Sequence, residues 1–146
     1  MVDVVHVIPF EAKHFYDIDV QPAQAYVREY VSREHIESLE KLNSYTAVTD
    51  DGKLLMCFGF VEIFPTRALM WGFLSATSGN HMTAMTRIGK YLLEQIPHRR
   101  VEIEVDCEFE QGHRWARILG FELEIMRLKC WRLDGGDSAL YSVVRP

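Results

Sequence analysis

VEIEVDCEFEQGHRWARILGFE, running from Val101 to Glu122, carries two periods in succession and then a stop. From Val101 to Cys107 apolar and acidic residues alternate strictly. Val101, Ile103, Val105 and Cys107 fall on one face, and Glu102, Glu104, Asp106 and Glu108 on the other. A period of two belongs to a strand. Gln111–Leu119 then reads as a short helix, with Gly120 just past its end. Glycine there accepts the left-handed backbone with which helices commonly finish. The stretch predicts a strand, a helix and a turn back onto the sheet.

Upstream, His81–Ile96 is predicted as a helix with Met82, Met85, Ile88, Leu92 and Ile96 on its apolar face, stopped by Pro97. Ser75–Asn80 (SATSGN) is a small polar loop, and Ala68–Leu74 (ALMWGFL) reads as a strand buried on both faces. Tyr45–Val48 and Lys53–Phe64 form a hairpin around Asp50-Asp51-Gly52. Glu11 to Asn43 holds two or three short helices. Pro22 suits a first helical turn, and Ala25, Tyr26 and Tyr30 recur at one-turn spacing. Ser32 caps a further helix, with Glu34 in its first turn and Ile36, Leu39 and Leu42 on one face. Val4–Ile8 is a first strand. Downstream, Leu123–Leu133 and Ala139–Val144 form a hairpin around Asp134-Gly135-Gly136-Asp137. The order is β-α-α-β-β-β-α-β-α-β-β. It implies an α/β (α+β) fold: a mixed, mostly antiparallel central sheet of about seven strands with flanking helices. The central β-loop-helix-β unit should be parallel and right-handed.

Composition narrows the function. The 146 residues suit one domain over residues 1–146, and the net charge of -5, from 16 basic and 21 acidic residues, excludes a broad nucleic-acid footprint. The cysteines, Cys57, Cys107 and Cys130, form no C-x-x-C pair and read as small apolar core residues. The six histidines show no H-x-x-x-H or H-E-x-x-H spacing, so no metal site is expected. No G-x-S-x-G, P-loop or dinucleotide fingerprint occurs. Met1 to Phe10 carries Asp3 and no positive leader region, and the longest apolar run, Leu54 to Val61, is too short to span a bilayer. A cytoplasmic protein with no membrane partner is expected.

The element order, with ARILGFE (Ala116–Glu122) placed after the strand VEIEV, resembles the GNAT superfamily of N-acetyltransferases over residues 4–144. The resemblance implies acetyl-CoA as co-substrate. Its Q/R-x-x-G-x-G/A loop corresponds to Ala76-Thr77-Ser78-Gly79-Asn80-His81, with Gly79 at the first glycine and departures at Ala76 and His81. The implied cofactor-binding residues are Phe73, Leu74, Ser75, Ser78, Gly79, Asn80, His81 and Met82. Loop N–H groups and a helix N-terminus would cradle the pyrophosphate, and a backbone N–H among Phe73 to Ser75 would serve the oxyanion. Where the family commonly keeps an acidic Tyr, this chain has Ala116; His113 and the more distant Tyr141 are the substitutes.

For a base, the acidic strand face offers Glu104 and Asp106, with Glu62 on an earlier strand. That face would draw a cationic amine acceptor. Equally, it is a solvated face paired with Arg99, Arg100, Arg127 or Arg132. GHRWARILGFE is also similar to acetyltransferase-like proteins of tailed bacteriophages, some of them virion components. Two functions follow: an N-acetyltransferase acting on a small-molecule or protein amine in a ternary complex, or a binding or structural module of weak or no activity, virion-associated in the phage case. The last hairpin, Leu123 to Val144, is an edge open to pairing in a homodimer.

Overall fold

In the computed structural model, which describes residues 4–146, the chain runs β1 (Val5–Pro9), α1 (Ala12–Asp17), α2 (Tyr26–Tyr30), α3 (Arg33–Leu39), β2 (Asn43–Thr49), β3 (Leu54–Phe64), β4 (Arg67–Leu74), α4 (Met82–Gln95), β5 (Arg100–Asp106), α5 (Glu110–Leu119), β6 (Glu122–Leu128) and β7 (Ser138–Val144). Short 3₁₀ turns precede α2 (Pro22–Gln24) and α4 (Ser78–His81). The seven strands form one sheet in the order β1-β2-β3-β4-β5-β7-β6. Both the element order and the mixed sheet agree with the sequence-based expectation. The reading of the leader at Met1 and Asp3 lies outside the described residues. Among the described residues no helix is long and apolar enough to cross a membrane.

The chain divides into two compact units. The first comprises the chain as far as Gly59 together with Gly72–Met85. Here β1 pairs antiparallel with β2, from Val5↔Thr49 to Pro9↔Tyr45. Ser32 caps α3 as predicted, its hydroxyl accepting the His35 N–H at 3.1 Å, and Ile36 and Leu39 are buried. Leu42 lies beyond the end of α3 and is exposed. Helix α2 buries Val27, whereas Ala25 and Tyr30 are exposed, contrary to the predicted face. So short a helix takes its orientation from what it packs on, which spacing cannot report. The Arg28 guanidinium donates to the carbonyls of Phe15 (3.0 Å) and Ile18, tying α2 to the end of α1.

The second unit is Phe60–Trp71 with Thr86–Pro146. β5 pairs parallel with β4 over three positions, Arg67↔Arg100, Ala68↔Val101 and Leu69↔Glu102, as the central β-helix-β unit requires. Its other edge pairs antiparallel with β7 along its whole length, Arg100↔Val144 to Asp106↔Ser138. α5 ends as predicted: Gly120 has φ 103°, and its N–H reaches the carbonyls of Ala116 and Arg117. Gly89 lets α4 approach α5, since a Cβ there would lie 2.9 Å from Leu119 Cδ2. Trp115 donates its indole N–H to Thr86 Oγ1 at 2.9 Å across the same contact.

Three expectations need correction. β4 is not buried on both faces: Ala68, Met70 and Leu74 are buried, but Leu69, Trp71 and Phe73 are half-buried. β6 stops at Leu128 rather than Leu133, because the chain turns through Cys130, at φ 54°. Of the cysteines only Cys57 is a core residue; Cys107 is half-buried and Cys130 exposed.

Candidate active site

The cofactor-loop candidates belong to the first unit and wind around one serine. Ser75 donates its N–H to Leu55 O at 2.9 Å. Its carbonyl then accepts the Ser78 N–H (3.2 Å) and hydroxyl (2.7 Å), and its own hydroxyl accepts the Thr77 N–H (3.2 Å). Ser75 and Ser78 are therefore buried parts of the turn, with their hydroxyls committed to it. Gly79 and Asn80 are exposed, and a Cβ at Gly79 would meet nothing within 4 Å. His81 and Met82 are half-buried. No side chain caps this helical start at Thr77. Its first N–H groups lack helical partners and carry the positive end of the α4 dipole. Lys53, at the start of β3, adds a cation: its Nζ donates to Thr77 O at 3.4 Å. The loop thus has the donors and charge that suit an anion such as pyrophosphate. No spacing in the sequence marks Lys53, because its neighbour lies 24 residues on.

The end of β4 is less open than the sequence suggested. Leu74 N–H donates to Gln24 Oε1 at 2.9 Å, and the Gln24 amide donates to Gly72 O at 2.6 Å. Leu74 O accepts from Gln21 N–H at 2.9 Å, and Ala76 N–H donates to Asp19 O at 2.7 Å. Phe73 sets its ring edge-on to Phe15, centroids 5.1 Å apart. The backbone donors expected for an oxyanion at Leu74 and Ser75 are thus bonded within the chain.

The proton-transfer candidates belong to the second unit, where among the described residues no bond joins the carboxylates of Glu62, Glu104 and Asp106 to one another. Glu62 holds the buried His98 through Nε2 at 2.6 Å. Asp106 is paired with Arg132 at 2.5 Å. Glu102, on the same strand face, is buried between Arg67 (2.9 and 2.8 Å) and Arg100. Glu108 pairs with Arg127 at 3.2 Å. Most of the acidic ladder is therefore ion-paired. Glu104 is the exception: it is exposed and has no hydrogen bond or ion pair among the described residues.

His113 is buried, with Nε2 2.9 Å from Cys107 O and Nδ1 2.7 Å from Tyr141 Oη. A carbonyl only accepts, so Nε2 carries a proton, and Nδ1 pairs with the Tyr141 hydroxyl. Tyr141 is wholly buried, and so is Ala116, the position of the expected acid. Neither thiol of Cys57 or Cys107 is a ready nucleophile. Burial pushes Cys57 up to about 12 and raises Cys107 as well. Asp106, Cys107, Glu108, Arg127, Arg132, Gly136 and Asp137 line a cleft of about 390 Å³ of mixed charge. Among the described residues no cluster of three His, Cys, Asp or Glu side chains could hold a metal ion.

No model of a known protein family matches the chain, and no curated protein sequence does. Solved structures do. Ard1 from Thermoplasma volcanium superposes with a TM-score of 0.75 at 15% identity, covering 97% of this chain and 98% of that one. A spermidine N-acetyltransferase SpeG chimera from Vibrio cholerae and hSSAT gives 0.71 at 14% identity, covering 96% and 95%. A GNAT-family acetyltransferase from Bacillus anthracis gives 0.66 at 12% identity, covering 99% and 96%. Likeness at such identities is a likeness of fold: the chain has the fold of the GNAT acetyltransferases.

Proposed function

We propose, from that fold as premise, that the protein is an acetyl-CoA-dependent N-acetyltransferase working by direct attack in a ternary complex. The observation that carries this reading is the uncapped, glycine-containing 3₁₀ turn that leads into α4, beside Lys53. The N–H groups of Gly79 and Asn80, with Lys53, hold the pyrophosphate. The acceptor is a cationic amine, and the polyamine in the name of the Vibrio cholerae neighbour is of that kind. The ammonium first gives up one proton, and the lone pair so freed attacks the thioester carbonyl carbon. The C–S bond breaks, the amine gives up a proton, and the departing thiolate of coenzyme A takes one up. Glu104 receives the amine proton through water, being the one candidate carboxylate that no ion pair holds among the described residues. Glu62 and Asp106 position His98 and Arg132 instead. The reaction belongs in the cytoplasm, where acetyl-CoA is available.

One observation favours a second reading, a GNAT-fold binding module of weak or no catalysis. Ala116 stands at the expected acid, and the Tyr141–His113 pair is closed on itself. A titration of acetyl-CoA separates the two. At a hundredfold excess over its dissociation constant, the ligand adds about 2.7 kcal/mol of stability, or roughly 5–10 °C in Tm. Gly79→Pro removes one N–H from the loop and abolishes the shift. Glu104→Gln keeps the shift and lowers turnover by ~10²–10⁴. No shift at millimolar acetyl-CoA overturns the cofactor reading and favours the module instead.

A further inference from the structure

We infer that the Gln24 carboxamide is a latch, occupying in the free protein the stretch of β4 edge that an amide-bearing ligand takes, so that it must swing out before the ligand seats. The inference rests on the acetyl-CoA reading, which supplies such a ligand: the arm of coenzyme A is an extended chain bearing secondary amides. It adds a step that the fold does not imply, a competitor built into the chain.

Gly72 O and Leu74 N–H point to the same side of β4, with one residue between them, as alternate backbone groups of a strand do. An unpaired pair of this kind is a template for any extended chain carrying an N–H and a C=O. Here the amide of Gln24 satisfies both at once, donating to Gly72 O at 2.6 Å and accepting from Leu74 N–H at 2.9 Å. Those are the two bonds that a neighbouring strand, or a ligand amide, would make.

The attachment of Gln24 makes it removable. Residues 19–21 are sewn to the strand end by backbone: Gln21 N–H to Leu74 O, Ala76 N–H to Asp19 O, and a bridge between Val20 and Ser75. Gln24, at the end of the 3₁₀ turn Pro22–Gln24, contributes only its side chain to this edge. It is half-buried, so its amide reaches water by rotation about side-chain bonds while the backbone stays anchored. Gln21 Nε2 donates to Gln24 Oε1 at 2.9 Å and biases the closed position. A closed latch lowers apparent affinity in proportion to the fraction of molecules that are open.

The test uses the full chain with acetyl-CoA, read by calorimetry and by NMR hydrogen exchange. Gln24→Ala removes the latch. Gln24→Glu keeps the side-chain length and the bond from Leu74, but loses the donor to Gly72 O, so it covers the case in which the alanine variant misfolds. Both variants are expected to bind acetyl-CoA roughly 5- to 10-fold more tightly than the wild type. In the wild type, acetyl-CoA should release the Gln24 side-chain NH₂ to fast exchange, while the Leu74 amide stays protected by its new partner. Binding that leaves the Gln24 NH₂ protected, with unchanged or weaker affinity in the variants, overturns the latch and leaves the acetyl-CoA reading standing. No binding by wild type or variants at millimolar acetyl-CoA overturns that reading and the latch with it.

Discussion

Glu102 shows what decides the fate of a carboxylate on an acidic strand. It alternates in register with Glu104 and Asp106, yet it is only 3% exposed. Burial pushes its pKa up, but hydrogen bonds from Arg67 and Arg100 outweigh that and hold it below the usual carboxylate range. A carboxyl depressed in the folded state adds stability above its unfolded pKa of about 4.3, and that stability is lost as pH falls through the folded value. Glu102→Gln should therefore cost about 1–3 kcal/mol at pH 7, less than a fully buried pair because both arginines reach water. It should also flatten the fall in stability below about pH 4. Urea melts at neutral and acid pH check both. Tyr141 gives a complementary case. Tyr141→Phe leaves the buried His113 Nδ1 without its partner and should cost about 1–3 kcal/mol. If that role is structural, acetyl-CoA affinity and kcat are kept; a loss of ~10² or more in kcat would make Tyr141 the acid after all.

Among the elements, α5 was legible and α2 was not, and the reason is locality. The period of two in β5, the helix after it and the glycine stop all lie within one window of chain. Glycines at both ends hold α5 for different reasons. Gly120 is needed for its φ of 103° with open space around it, whereas a Cβ at Gly112 would come within 2.6 Å of Phe109 and 2.8 Å of Val105. Gly120→Ala should cost about 1 kcal/mol through backbone strain alone. Gly112→Ala should cost about 1–3 kcal/mol by overpacking, with loss of helix order visible in the α5 amide exchange. By contrast α2 and the turn before it take their places from distant partners. Gln24 meets Leu74 fifty residues away, and no period in the sequence marks such a residue. The same holds for the ladder: alternation put Glu102 and Glu104 on one face, but only the three-pair contact of β5 with β4 buries one and leaves the other in water.

For the whole molecule, the order of elements was readable and the order of strands was only partly so. The last hairpin was evident from its turn, yet nothing in its sequence said which strand would lie inside. β7 goes in beside β5 and leaves β6 at the sheet's edge. Leu123, Ile125 and Met126 are consequently 36%, 41% and 65% exposed. Such an edge invites pairing with a second copy of the chain. Two features oppose it. The register with β7 shifts twice, between Leu123 and Ile125 and between Ile125 and Leu128. Charges flank it as well, with Glu124 bound to Arg100 and Arg127 to Asp137. Bulges and charges blunt an edge without removing its unpaired backbone. We therefore expect concentration-dependent dimers through β6. Sedimentation velocity should show them dissociating in Met126→Lys, with Tm at low protein concentration unchanged because Met126 is already mostly in water. A wild type that stays monomeric at every concentration would mean that the register shifts and the flanking charges together protect the edge.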